Sequence, residues 1–397
     1  MQPTATLTSK RIESIDLLRG IVMIIMALDH TRDFFHQEAF TGDPLNLTST
    51  TPFLYFTRWI THLCAPTFVF LSGVSAWLQH GRKTTKELSG FLITRGLWLI
   101  LLEITVITFG ITADIHFGFF VLQTIWSIGI SMMILGLVIW LPFKVILSIG
   151  LLIVLGHNSL DFAEAERQGN VSLFWNFLHL PTVVPLGGGH FLGIFYPFLP
   201  WAGLMMLGYC FGKIFTTIHP PRRNKIVLWT GVGLLIFFIA VRAMNIYGDP
   251  SPWSQQKNNL FTFLSFMNVT KYPPSLLFLA VTIGVALLFM ALLKNTSGRI
   301  SKIISVYGRV PFFYYILHFY LLHIITIILY LQRGHSIAEG VKGVPGLPFK
   351  FAVPGEGYSL GIVYIVWIAV VIALYPLCKW YDRYKTTHKE KWWLSYL

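Results

Sequence analysis

Apolar stretches of about twenty residues follow one another along this chain, with only short polar breaks between them. A stretch of that length crosses the hydrocarbon core of a bilayer as an α-helix. Backbone amides and carbonyls left unpaired in lipid are so costly that only helices and closed barrels span it. These runs are too long for barrel strands, so the pattern restricts the chain to an all-α, polytopic membrane bundle. Only 12% of the residues are charged, about half the share usual in a soluble domain. The expected spans are Ile15–Phe35, Phe53–Leu78, Phe91–Ile111, Phe119–Trp140, Phe143–Leu155, Phe195–Ile214, Ile226–Met244, Pro273–Leu293, Ile303–Leu331 and Ser359–Leu377. The fifth is short, as a tilted or partly re-entrant segment would be. The ninth is long enough to tilt or bend, with Pro311 as the kink site. One membrane domain over residues 1–397 is expected, with a basic, aromatic tail over 379–397.

Charge orients the bundle. One set of breaks carries Lys10 and Arg11, then Arg82, Lys83 and Lys86, then Lys144, then Lys213, Arg222, Arg223 and Lys225, then Lys294, Arg299 and Lys302. The tail adds Lys379, Arg383, Lys385, Lys389 and Lys391. The alternate breaks hold most of the acids, among them Asp33, Glu38, Asp114, Asp161, Asp249 and Glu356. Basic loops stay in the cytoplasm, so about ten helices with both termini cytoplasmic are expected. The first apolar run follows a polar start and is expected to act as an uncleaved signal anchor. The +13 net charge then has a plain origin in a basic cytoplasmic rim facing anionic lipid headgroups, and nucleic acid is not an expected partner. Lys389-Glu390-Lys391-Trp392-Trp393 suits the membrane interface. Cys64, Cys210 and Cys378 have neither metal-ligand spacing nor a disulfide framework, and no metal is expected.

Ionisable side chains inside apolar spans point to function by default. Arg19 and His30 in the first helix are eleven residues apart, about three turns, so they share a face roughly 16 Å apart along the axis. That stripe has a permanent cation at its cytoplasmic end and a proton-exchanging imidazole at its outer end. The simpler alternative keeps Arg19 snorkelling to headgroups or paired with Asp16, and His30 at the interface. The second helix has Arg58 and His62 one turn apart. The third has Arg95 and Glu103, and Glu103 is expected to meet Arg95 or another polar helix face. The ninth has Tyr314, Tyr315, His318 and His323, whose histidines are too poorly aligned to share a metal. Gly187-Gly188-Gly189-His190 permits close backbone approach to a ligand but lacks the context of a nucleotide fingerprint.

Several stretches together resemble a known family. Residues 11–23 read Arg-Ile-Glu-Ser-Ile-Asp-Leu-Leu-Arg-Gly-Ile-Val-Met and lead to Asp29-His30. Further support comes from Pro66-Thr67-Phe68-Val69-Phe70-Leu71-Ser72-Gly73, Phe198-Leu199-Pro200-Trp201, Thr270-Lys271-Tyr272-Pro273-Pro274 and Gly308-Arg309-Val310-Pro311. In this order they resemble the heparan-alpha-glucosaminide N-acetyltransferase catalytic-domain family, in its bacterial branch. The spacing of Arg19 and His30 is also similar to that of membrane O-acyltransferases that decorate bacterial surface polysaccharides. The resemblance implies an integral protein of the bacterial inner membrane that takes acetyl from cytoplasmic acetyl-CoA. It passes the group to a glycan or amino-sugar acceptor on the far side.

The resemblance sets Arg19 as the donor-binding cation, with Arg95 and Arg82 as helpers. His30 is the first candidate for the catalytic base, followed by His36 and His62. In the eukaryotic lysosomal member asparagine stands where this chain has His30, and the catalytic histidine lies in the segment that follows. Asp29 or Asp33 would orient the imidazole, and Asp33, Glu103 and His318 are candidates for acceptor contact. A homodimer stays open. The same intramembrane Arg, His and Glu would also suit a proton-coupled transporter or flippase for a small anion or lipid-linked sugar.

Overall fold

The computed structural model describes residues 12–166, 171–293, 296, 298–391 and 394. Lys10, Arg11, Lys294, Trp392 and Trp393, named above for the basic rim, the family pattern and the tail, lie outside the described residues. The protein is mostly helical, at 69% helix. In chain order the elements begin with α1 (Glu13–Phe35), α2 (Pro52–Thr61), α3 (Cys64–His80) and α4 (Thr85–Leu102). A π-helical turn, Glu103–Ile107, leads into α5 (Thr108–Thr112), and then come β1 (Phe119–Leu122) and α6 (Thr124–Val138). Next are α7 (Phe143–Gly156), α8 (Ser159–Glu166), α9 (Leu173–Leu178), β2 (Thr182–Gly187), β3 (His190–Ile194), α10 (Leu199–Gly212) and α11 (Ile214–Thr217). The rest is α12 (Pro220–Met244), α13 (Asn259–Met267), α14 (Leu276–Leu292), α15 (Arg299–Arg309), α16 (Pro311–Gln332), α17 (Ile337–Lys342) and α18 (Leu360–Thr387).

Five helical stretches are long and apolar enough to cross a membrane, or six if the bent pair α7–α8 counts as one span. The five are Pro52–His80, Thr85–Thr112, Pro220–Met244, Pro311–Gln332 and Leu360–Thr387, and they mark an integral membrane protein. The fifth expected run is the continuous helix α7, which ends at Gly156 and meets α8 at 45°.

Other runs differ from expectation for local reasons. Pro311 does not kink one long helix. It starts α16 at a position where its missing amide is not needed, and Val310 before it, at φ −127° and ψ 47°, leaves the helical region and ends α15. The fourth run opens as strand β1, which pairs in parallel with β3. A small sheet of order β1-β3-β2 therefore departs from a purely helical bundle. Gly187, Gly188 and Gly189 all have positive φ and turn β2 into its antiparallel partner β3. Their role is this hairpin, which the sequence offered only as room for a ligand.

Backbones approach closely where helices pack. A Cβ on Gly308 in α15 would lie 1.8 Å from the Asp16 carbonyl oxygen of α1, and one on Gly20 would lie 2.1 Å from the Ile304 carbonyl oxygen. Gly73 of α3 and Gly208 of α10 interlock in the same way, 2.1 Å from Met205 O and 2.2 Å from Phe70 O. Helices in lipid gain little from the hydrophobic effect against one another, so close van der Waals contact at small residues must hold them. A Gly308→Ala change is expected to lower the unfolding temperature in detergent, through an overpacking cost of about 1–3 kcal/mol. Gly42→Ala, which meets open space, is the matched control and should melt like the parent chain. Equal melting of both variants would show that the α1–α15 contact is not tight.

Candidate active site

Two cavities lie end to end through the centre of the bundle. One, of about 90 Å³, is bounded by Asp29, His30, Asp33, Arg58, Lys271 and Tyr272. The other, of about 240 Å³, has Arg19, Gln79, Arg95, Arg309 and Lys385 among an otherwise mostly apolar lining. Met26, Phe68, Thr124 and Tyr315 line both, so these four side chains form the partition. Lys385 comes from the basic set of chain segments, and Arg309 pairs with Asp382 on the same helix as Lys385, so the larger cavity lies toward the basic end. The smaller cavity lies at the opposite end, on the side of Asp33 and the 249–275 loop.

Helix α1 supplies both ends of this path. Arg19 sits at the larger cavity, where its guanidinium donates to the Gly308 carbonyl at 3.2 Å and to Ser75 Oγ at 3.1 Å, with Asp16 at 3.6 Å. These bonds tie α1 to α15 and α3 and fix the cation. Three turns on, His30 reaches the smaller cavity. The expected stripe is therefore real geometry, and its two ends face different cavities.

Around His30 the charges form one network. Asp29 takes a guanidinium from Arg58 on α2 and another from Arg32 at 3.1 Å. Arg32 also donates to Asp33 at 2.5 Å. The second Arg58 nitrogen reaches the Tyr272 hydroxyl at 3.4 Å. Asp29 is thus saturated by cations. The carboxylate facing the imidazole is Asp33, whose oxygen lies 3.9 Å from His30 Nδ1. The His30 ring packs at 4.4 Å from Phe319 and 5.2 Å from His318.

Lys271 is 8% exposed and lines the same cavity, above the rings of Tyr272 and Tyr196 at 5.1 and 5.9 Å. Its position is set from behind. Arg242 at the end of α12 donates to the carbonyls of Phe266, Ser251, Ser265 and Asn268. Asp249 accepts the Thr270 amide at 2.8 Å and the Ser275 hydroxyl at 2.6 Å. Together they hold the loop that carries Lys271 and Tyr272. Arg32 and Lys271 had no assigned role in the sequence. The signal for Arg32 was its place three residues after Asp29, while Lys271 is brought in by a loop hundreds of residues from α1.

The remaining candidates fall elsewhere. His36 follows α1, and its Nδ1 accepts the Glu38 amide at 3.2 Å. It lines a separate cavity of about 30 Å³ with Tyr358 and Glu356, and burial pushes its imidazole below the usual range. His62 is 1% exposed at the α2–α3 break, packed against Phe278 at 5.2 Å, and lines neither large cavity. His318 is fully buried behind His30, with Nδ1 against the Tyr314 carbonyl at 3.3 Å. Arg95 does line the larger cavity, whereas Arg82 does not. Of the two expected partners for Glu103, Arg95 or another polar helix face, the structure gives the second, at the start of α6. Glu103 is fully buried, and its Oε1 accepts the Gln123 amide at 2.8 Å. A helix N-terminus offers free amides to a carboxylate, and one oxygen of Glu103 takes such an amide, while Oε2 is buried with no partner among the described residues.

Among the described residues, Asp161, Glu164 and His179 place ligand atoms within 4.8 Å of one another. Those atoms are already bonded: Glu164 to His179 and Trp175, and Asp161 to Asn158. The three cysteines are free and buried, and Cys64 donates to the Val22 carbonyl.

Removing one partner from a buried ion pair strands the other charge. Asp29→Ala is therefore expected to destabilise the protein by about 3–5 kcal/mol. Asp33→Ala, at a carboxylate that is 38% exposed, should cost clearly less. Thermal unfolding in detergent ranks the two, and the reverse order would show that Asp29 is not the centre of the network.

A comparison with curated proteins returned no match. The family described as heparan-alpha-glucosaminide N-acetyltransferase, catalytic, matches residues 11–247. That range contains Arg19, His30, Arg58 and Arg95, while Lys271, Arg309 and Tyr315 lie beyond it. A match over more than half of the chain places the protein in the heparan-alpha-glucosaminide N-acetyltransferase catalytic family, a family of membrane acyltransferases.

Proposed function

We propose that the protein moves an acetyl group from cytoplasmic acetyl-CoA to a glycan hydroxyl or amine on the far side of the membrane. The observation that carries this reading is the pair of abutting cavities, cationic at the basic end and His/Asp-lined at the other, separated by four side chains. The CoA phosphates would meet Arg19, Arg95 and Lys385, since guanidinium and ammonium groups make charge-assisted bonds to phosphate. The acyl end would extend past Met26 and Phe68 toward His30. There the imidazole would take the proton of the attacking acceptor, with Asp33 stabilising the charged ring. The packed partition would keep water from the thioester. Direct transfer to the acceptor needs no acyl-enzyme in this arrangement.

The same reading makes residues 1–397 a single multi-pass domain of the bacterial inner membrane, with both termini cytoplasmic. The five long helices, the bent pair, and the four shorter or more charged helices α1, α6, α10 and α14 would supply ten spans. Helix α1 carries too many charges to stand out by composition, but Arg19, Asp29 and Asp33 line the cavities. Topology reporters fused at Leu397 and inserted at Asn170 are expected to report cytoplasm and exterior respectively. An exterior signal at Leu397 would overturn this orientation.

Two variants separate the ends of the path. Arg19→Ala is expected to weaken acetyl-CoA binding by about 1.5–3 kcal/mol, read by calorimetry in detergent. His30→Ala should leave that binding intact and slow acetyl transfer by about 10²–10⁴. Transfer is measured in sealed vesicles with labelled acetyl-CoA outside the cytoplasmic face, a glycan extract on the other, and free CoA counted. Loss of activity in His36→Ala with His30→Ala unaffected would move the base into the outer loop. A wild-type protein that releases no CoA while moving solute would make it a transporter.

A further inference from the structure

Tyr315 stands on α16 at the point where the two cavities meet, and it lines both. Its ring is held on several sides, near-parallel to Phe312 at 6.5 Å, edge-on to Phe319 at 5.2 Å, and edge-on to His30 at 6.4 Å. Only 4% of the residue is exposed, and its hydroxyl has no hydrogen-bond partner among the described residues. Buried hydroxyls normally find one. Two other tyrosines of the same region do: Tyr320 donates to the Val106 carbonyl and Tyr307 to the Val371 carbonyl, each at 2.8 Å. Tyr314 next door also lacks a partner, but it packs against Tyr307 and His318 and lines neither cavity. Among the described residues, Tyr315 combines an unused O–H donor, a fixed ring, and a place on the wall shared by the two cavities.

We propose that the Tyr315 hydroxyl donates a hydrogen bond to the thioester carbonyl oxygen of the acyl donor and stabilises the oxyanion formed during transfer. The assignment rests on the acyltransfer reading above. The acceptor oxygen or nitrogen attacks the carbonyl carbon from the His30 side and forms a new bond to it. The carbonyl π pair moves onto oxygen, where Tyr315 donates, and His30 takes the acceptor's proton. When the C=O bond re-forms, the C–S bond breaks, and the CoA sulfur leaves as a thiolate that recovers the proton from His30. Tyr315 keeps its own proton throughout. A donor already fixed in a dry site needs no reorganisation as the charge develops, which is why such donors count for so much.

Tyr315→Phe removes the hydroxyl and keeps the ring contacts. Full-length protein in nanodiscs, with acetyl-CoA labelled with ¹³C at the carbonyl, gives two readouts. Turnover should fall by about 10²–10³-fold with unchanged acetyl-CoA affinity, while Tyr314→Phe keeps wild-type turnover. In isotope-edited infrared spectra, the bound carbonyl stretch should lie lower in the parent protein than in Tyr315→Phe, because hydrogen bonding weakens the C=O bond. Wild-type turnover in Tyr315→Phe, or lost turnover with an unshifted carbonyl, overturns the assignment and leaves the acyltransfer reading standing. If the parent protein neither binds acetyl-CoA nor releases CoA, that underlying reading fails and the role of Tyr315 with it.

Discussion

The arrangement depends on how the bundle keeps Asp29 charged in its interior. A carboxylate removed from water is stable only when cations and hydrogen bonds replace its hydration. Arg32 supplies one cation from the same helix, and Arg58 supplies the other from α2. The contact with Arg58 fixes the distance between two helices, and the reach of Arg58 to Tyr272 adds the loop before α14. Three separate parts of the chain therefore meet at one acid. His30, the next residue after Asp29, inherits a fixed position from that meeting.

At the other end of α1 the constraint is steric. Gly20 and Gly308 let α1 and α15 touch backbone to backbone. That closeness puts the Gly308 carbonyl within reach of Arg19. A larger residue at either site would separate the helices and withdraw Arg19 from its acceptor. Electrostatics at the outer end and close packing at the inner end thus hold one helix as a rigid ruler between two cavities. Arg309 just after Gly308 is locked to Asp382 by a two-point contact at 2.8 and 2.5 Å, which ties the last helix to the same end.

Not every buried charge serves the cavities. Glu103 accepts the Gln123 amide at the start of α6. Arg242 gathers four carbonyls, and Asp249 collects an amide and a hydroxyl on one loop. These groups take the place of water for backbone groups where helices begin or end. Their effect on the site is indirect, since the loop they hold presents Lys271 and Tyr272.

Much of this was legible from residue order alone. Apolar run length specified helices in a membrane, because the bilayer sets one length and the backbone allows one hydrogen-bonding solution. The helical repeat placed Arg19 and His30 on one face. Periodicity within one helix says nothing about what faces it, however. That Glu103 would meet an amide, that His62 would be sealed against Phe278, and that His36 would line a different cavity were decided by packing between distant segments. The strand at Phe119–Leu122 was hidden because its pairing partner lies some seventy residues on, at His190–Ile194. Pro311 marked a discontinuity correctly, but whether it bends a helix or begins one depends on the conformation of Val310. Tyr315 stood in the sequence only as one of several polar side chains of the ninth run, with no role assigned. Only the tertiary structure set its unused hydroxyl between two cavities, because that position is made by α1, α3, α6 and α16 together and belongs to none of them alone.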